Sequence, residues 1–324
     1  MKPRPSLLAL AVLCFIALHT SRCNAWNSTG HEIIAQIAYD QLSPAAKSAV
    51  LTVLRNHPRL NEDLLHDPNR AGDDNLAMFL RAATWPDMVR SLLHPMNRTV
   101  ENHRRWHFVD FPLDLDGVRG PQPKVQWDGH GDPENLLQAA EKVLAELKDP
   151  NTPPDRKAID LCWLEHLVGD VHQPLHAVSL FSKQYPQGDQ GGNLEMIRNG
   201  DGVVIPLHTY WDDIEGLSLD PGDVRKAADR IEAAHPKSEF KDRISDLSFV
   251  HWAKESVEAA RSVVYLGGTL PHAMKSEAQA DPKSVPPLPP GYAEKALATA
   301  DVRIALAGYR LAAVLEEVAK SMDN

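Results

Sequence analysis

Histidines and aspartates in this 324-residue chain recur at spacings that bring imidazole nitrogens and carboxylate oxygens to common points. In His166-Leu-Val-Gly-Asp170 the two end residues stand four apart, so a helix projects both from one face. His172 and His176 repeat that interval in Val171-His-Gln-Pro-Leu-His176, and His208-Thr-Tyr-Trp-Asp212 is a second His-x3-Asp. Imidazole nitrogen with carboxylate oxygen is a donor set that zinc favours, and such pairs converge on one ion. A single pair reads as an ion-paired helix surface; several in one short region point to metal. Further candidates lie upstream: His31, Asp87 in Thr84-Trp-Pro-Asp87, and His107 in Trp106-His-Phe-Val-Asp110.

The elements that must position these groups are helices. Ile33, Ile34, Ile37 and Ala38 make one stripe in His31 to Leu42, and Ser43-Pro44 caps and opens a second helix to about Asn56. The same 3.6-residue apolar spacing returns from Pro133 to Lys148, Arg156 to about Ala177, Pro221 to Ala234, His251 to Tyr265 and Gly291 to Met322. Few runs alternate with period two, and Val203-Val204-Ile205 is too short to count as a strand. The expected fold is all-α, a single large multi-helix domain over residues 26–324. Two irregular stretches interrupt it. Ser182 to Gly192, rich in Gly and Gln, follows the histidine-bearing helix and is placed to shape access to a site. Asp281 to Pro290 is a proline-rich connector before the last helix.

Residues 1–25 read as a signal peptide. Lys2 and Arg4 precede an apolar run from Leu7 to Leu18, too short to span a bilayer, and Cys23-Asn24-Ala25 supplies a cleavage-type end. An exported protein, secreted or periplasmic, is expected, without stable membrane association. Cleavage after Ala25 would free the Trp26 amine, a neutral nitrogen donor beside its own carbonyl. The signal carries three basic and no acidic residues, so the rest of the chain holds 31 basic against 44 acidic side chains. A protein this acidic cannot hold polyphosphates on a broad basic surface. Only Cys162 lies beyond the signal, so no intramolecular disulfide is expected.

Taken in order, these motifs resemble the single-strand-specific zinc nucleases of type I, which share a superfamily with the zinc-dependent phospholipases C. The resemblance rests on Trp26-x4-His31, Trp85-Pro-Asp87-x2-Arg90, Trp106-His-Phe-Val-Asp110, His166-x3-Asp170-x5-His176 and His208-x3-Asp212. It implies three Zn²⁺. One would take the Trp26 amine and carbonyl, His31 and Asp170; a second Asp87, His107, His166 and Asp170; a third His176, His208 and Asp212. Three dications against three carboxylates would make a cationic pocket in an acidic protein, which answers how phosphate is attracted. The implied reaction is attack by metal-activated water on phosphorus, leaving 5′-phosphates from single-stranded DNA or RNA, with 3′-nucleotides as further substrates. Asp87 would orient the water or accept its proton, and Arg90 would contact phosphate. Phe108 would stack on a base and Asp110 would accept from its edge, favouring single strands.

Plainer readings stand beside these. Phe108 could be core, Asp110 could cap a turn into Phe111-Pro112, and Arg90 could pair on the surface. His172 is expected to support or pack rather than ligate. A phospholipase C using the same metals, or a non-catalytic zinc-binding protein, are the alternative functions. No protein partner is inferred.

Overall fold

The computed structural model describes residues 26–65, 73–99 and 101–322; the expected signal peptide lies outside the described residues. Side-chain caps start most of the larger helices. Asn27 Oδ1 accepts the Gly30 N–H at 3.0 Å at the head of α1 (Ser28–Gln41). Ser43 caps α2 (Pro44–Leu54) with Pro44 in the first turn, where a missing N–H costs nothing. Asp73 and Asn135 do the same for α3 (Asp74–Val89) and α4 (Leu136–Lys148). Then follow α5 (Pro154–His172), α6 (Leu207–Asp212), α7 (Pro221–Ala234), α8 (Lys241–Ser245), α9 (Phe249–Ala259), α10 (Lys275–Ala280) and α11 (Tyr292–Met322). Among the described residues no helix is long and apolar enough to cross a membrane.

The axis of the molecule is α5, buried on every side from Ala158 to His172. It packs against α2, α3, α4, α9 and α11, while α1 lies across α3, α7 and α11. The α1–α11 contact is close because Gly308 has no side chain: a Cβ there would stand 2.5 Å from Ile37 Cγ2. One apolar core runs from Trp26 to Ala319, with six tryptophans fully buried in it.

The structure is largely helical as expected, with three differences. First, α3 carries Asp87 on a helix that the apolar pattern does not announce, because Pro86 sits inside it. Second, α5 ends at His172, not near Ala177. Pro174 cannot donate a helical N–H, so the chain turns at Gln173 into a short tighter turn, Pro174–His176. Third, there are small sheets. Strand β1 (Phe111–Asp114) runs parallel to β2 (Val178–Phe181), with Phe111 opposite Val178. Strand β3 (Glu195–Arg198) lies between β4 (Val204–Pro206) and β5 (Ala273–Met274), antiparallel to both. The Val204-Ile205 run is thus a strand, stabilised by pairing with β3. Residues 281–290 are strapped along β3: Arg198 N donates to Pro286 O and Leu288 N to Arg198 O, both at 3.1 Å.

Candidate metal centre

Six separate elements deliver the predicted donors to one floor. His31 comes from α1, Asp87 from α3 and His107 from a tight turn, Arg104–His107. His166 and Asp170 come from α5, His176 from the turn that follows it, and His208 and Asp212 from α6. They form three groups that could hold metal ions: His31–His166–Asp170, Asp87–His107–His166 and His176–His208–Asp212. The Asp170 carboxylate spans the first two. Its Oδ1 lies 3.3 Å from His31 Nε2, and its Oδ2 lies 3.2 Å from both His107 Nδ1 and His166 Nε2. Asp87 Oδ1 is 3.8 Å from His107 Nδ1 and 4.0 Å from His166 Nε2. In the third group His208 Nε2 is 3.4 Å from Asp212 Oδ2 and His176 Nε2 is 4.0 Å from Asp212 Oδ1.

The backbone sets the tautomers. His166 Nδ1 lies 2.8 Å from Ala83 O, one carbonyl along from the one that Pro86 leaves without its helical partner. His176 Nδ1 lies 2.5 Å from His107 O, and His208 Nδ1 2.6 Å from Gly191 O. Carbonyls only accept, so each Nδ1 carries the proton and each Nε2 turns a lone pair inward. His176 Nε2 and His208 Nε2 then face each other at 3.1 Å, and His166 Nε2 faces His107 Nδ1 at 2.9 Å. In the His176–His208 pair, where both Nδ1 protons are fixed by carbonyls, two lone pairs at that distance repel unless a cation lies between them. Tetrahedral Zn–N bonds would separate such nitrogens by about 3.3 Å, so the residues fit a zinc ion.

Charge agrees. Burial lowers His31 and His176, and takes His107 down to about 4, so these rings keep their lone pairs at neutral pH. Burial also opposes ionisation of Asp170, but the His166 charge and hydrogen bonds from His107, His166 and His31 hold it well below the usual carboxylate range. His166 is the exception and is raised: burial works against a second proton, Asp170 and Asp87 outweigh that, and a metal ion on Nε2 would take that proton's place.

Trp26 is fully buried beneath Gly30, where a Cβ would come within 2.8 Å of Trp26 Cβ. Asn27 N donates to Asp212 O at 3.1 Å, tying the start of the described chain to α6. The Asn27 amide is spent inside the fold as well, donating to Asp213 Oδ1 and Gly216 O. His172 faces away from all three groups; its Nδ1 meets Val168 O and its Nε2 accepts from Arg310.

Above the floor opens a cavity of about 510 Å³, walled by Arg90, Phe108, Asp110, His107, His176 and His208 among others. Arg90 caps α3 and donates from Nη1 to Asp87 Oδ1 at 3.2 Å. Phe108 is 36% exposed, an aromatic ring at the cavity wall rather than in the core. Asp110 has φ +47°, between two residues whose N–H groups bond to His176 O and Ala177 O. A non-glycine residue in that region is strained and held by its surroundings. Burial, then the charge of Asp189, raises Asp110 to about 6.

Two residues not singled out in the sequence complete the site. Asp189 anchors the Ser182–Gly192 loop, accepting from Leu180 N, Gly192 N and the Tyr265 hydroxyl. That brings Gly191 O onto His208 and places Gln187 and Gln190 on the cavity wall. Gly191 has φ +60°, and a Cβ there would meet Leu175 O at 2.4 Å, which is the reason for glycine. Gln173 bonds Asp212 across the floor. The Gly-Gly pair signals the loop's close approach; nothing in the sequence signals Gln173 beyond its place between two histidines.

A family model described as S1/P1 Nuclease matches residues 26–320. The chain is similar to Nuclease S1 of Aspergillus oryzae, 25% identical over 187 residues, which is 58% of this chain and 53% of that protein. The matched region thus spans about half the length of that relative. Nuclease PA3 of Penicillium sp and Nuclease P1 of Penicillium citrinum are each 22% identical over 315 residues, covering 90% of this chain and 97% of theirs.

Proposed function

Because the chain belongs to the S1/P1 nuclease family, we propose that it is an exported, three-zinc phosphodiesterase acting on single-stranded nucleic acid. It hydrolyses DNA and RNA strands to 5′-phosphorylated products and also takes 3′-nucleotides. The observation that carries this reading is the pair of facing imidazole nitrogens at 3.1 Å, His176 and His208, beneath a cavity walled by an exposed Phe108.

Trp26, His31 and Asp170 would hold one zinc; Asp87, His107, His166 and Asp170 a second; His176, His208 and Asp212 the third. When bound, zinc supplies activation of water for attack on phosphorus and neutralisation of charge on the phosphate. The chain's own side chains do the rest. Arg90, tethered by Asp87, presents its remaining donors to the scissile phosphate. Phe108 offers a π-face that takes any unpaired base, and a duplexed base has no free face to offer. Asp110 accepts a hydrogen bond from the edge of that base when ionised. Asp87 holds Arg90 and can take a proton from the attacking water.

The test is hydrolysis of single-stranded DNA and RNA by the mature, zinc-loaded protein, with a chelator-treated control and phosphatidylcholine alongside. Zinc-dependent release of 5′-nucleotides is expected. Lipid turnover without nucleic-acid cleavage would make it a phospholipase, and zinc binding without turnover of either would overturn the enzyme reading.

A further inference from the structure

We propose that Arg104 is a second phosphate-binding position, gripping a phosphodiester of the strand that flanks the one being cut. This rests on the nuclease reading above and adds to it a subsite for polymeric substrate.

A tight turn carries His107. Arg104–His107 is wound at three residues per turn, so residues three apart stand on one edge. Arg104 therefore shares an edge with His107, while Trp106 points into the core, fully buried and stacked 3.6 Å from the His103 ring. Trp106 locks the turn, and the lock aims Arg104 at the cavity. Arg104 lines that cavity together with Arg90, Phe108 and Asp110, yet its residue is exposed to solvent.

The second observation is what Arg104 lacks. This is an acidic chain, 44 carboxylates to 34 basic side chains, and its arginines are mostly spoken for. Arg90, Arg156, Arg225, Arg230, Arg243, Arg303 and Arg310 each pair with a carboxylate. Among the described residues, the Arg104 guanidinium has neither an ion pair nor a hydrogen bond. All five of its donors are free, in the planar fork that matches two oxygens of a phosphate.

Arg90 and Arg104 differ in what they can reach. Arg90 is tied to Asp87 and sits over the metal donors, which suits the scissile group. Arg104 comes from another element and keeps no tether, so it can follow a neighbouring phosphate. A strand with one base stacked on Phe108 must carry phosphates on both sides of that nucleotide. One of them goes to the metal floor, and the next falls to Arg104. A substrate with a single phosphate cannot use both positions.

The experiment compares Arg104→Ala with the wild type on a single-stranded decamer and on a dinucleotide with one phosphodiester. The zinc content and circular dichroism of each protein are measured first. The decamer-to-dinucleotide ratio of kcat/KM is expected to fall about tenfold, through KM, the scale of one charge-assisted contact. The salt slope of decamer binding should shrink by about 0.7, one phosphate contact on a single strand. Arg104→Lys should recover most of the slope and little of the ratio. An unchanged ratio with an unchanged slope overturns the proposal. An equal loss on both substrates also overturns it, because Arg104 would then act through His107. If the wild type cleaves neither substrate, the nuclease reading itself fails, and the binding slope still reads the Arg104 contact.

Discussion

Gln173 Nε2 donates to Asp212 Oδ1 at 2.7 Å, both side chains fully or almost fully buried, and the Gln173 Oε1 accepts from Leu175 N at 2.5 Å. One amide thus ends α5, starts the turn that carries His176, and fixes the carboxylate that faces His176 and His208. The turn and the third metal group are held in register by this one side chain.

Gln173→Leu keeps the volume and removes both bonds. Losing a hydrogen bond to a buried carboxylate costs about 1.5–3 kcal/mol, and loss of such support lowers metal affinity about 10- to 100-fold. The expected result is a lower melting temperature and a fall in tightly bound zinc by one equivalent, measured by elemental analysis after dialysis. Full zinc content would show that Asp212 is oriented by the metal alone.

At Gly169 helix propensity and packing pull in opposite directions. The residue lies inside α5 at ordinary helical φ, where alanine is favoured by about 1 kcal/mol. A Cβ at that position would stand 2.6 Å from His31 Nδ1 and 2.7 Å from His31 Cε1. Contact at that range must displace the imidazole, so Gly169→Ala is expected to weaken zinc at the His31–Asp170 group and lower activity. A more stable protein with unchanged zinc would mean that the His31 ring has room to yield.

How much of this was legible in the chain follows from what each signal measures. His166 and Asp170, or His208 and Asp212, announce themselves because helical spacing is local. So does Ser43, the capping residue of α2, whereas Asn27, which caps α1 and lets it start at Ser28, three residues before His31, does not. The helix under Asp87 escapes notice because Pro86 reads as a break, and only burial against α5 offsets the lost N–H. The sheets escape because strands of two to four residues have no period of their own; β3 exists through its partners, Val204–Pro206 and Ala273–Met274. Gln173 and Asp189 act across the fold on residues 39 and 76 positions away, where spacing carries no information.

Away from the site, Glu255 joins three helices to the end of α5. Its Oε2 accepts from Arg303 and Arg310 at 2.8 Å and from Arg243 at 2.9 Å, and Arg303 in turn donates to His172 O. Burial alone would raise Glu255; hydrogen bonds from Arg310 and Arg243 and the charges of Arg303 and Arg310 reverse that and hold it well below the usual range. The folded state therefore refuses a proton that the unfolded chain accepts below about pH 4.3. Stability from this group is complete above that pH and drains away as pH falls further. Glu255→Gln leaves the buried Arg303 and Arg310 uncompensated, at a cost of about 3 kcal/mol at pH 7, the low end because Glu255 is 28% exposed. Urea unfolding across pH 3 to 7 should show the gap between variant and wild type closing only on the acid side. A constant gap would mean that the carboxylate charge plays no part.

Cleavage after Ala25, as proposed, would leave Trp26 as the first residue. Trp26 is buried against Gly30, and its neighbour Asn27 is bonded to Asp212, Asp213 and Gly216. That region is fixed by packing and hydrogen bonds whether or not anything precedes Trp26. Retaining one extra residue ahead of Trp26 converts its amine to an amide, whose nitrogen has no lone pair to give a metal. The fold should survive, with unchanged circular dichroism. One zinc should be lost and hydrolysis should fall about 100-fold, the scale of removing one charge that stabilises a transition state. A protein cleaved to begin at Trp26 should recover both. Should the extended protein keep three zincs and full activity, the Trp26 amine is no ligand, and His31 with Asp170 must hold their ion without it.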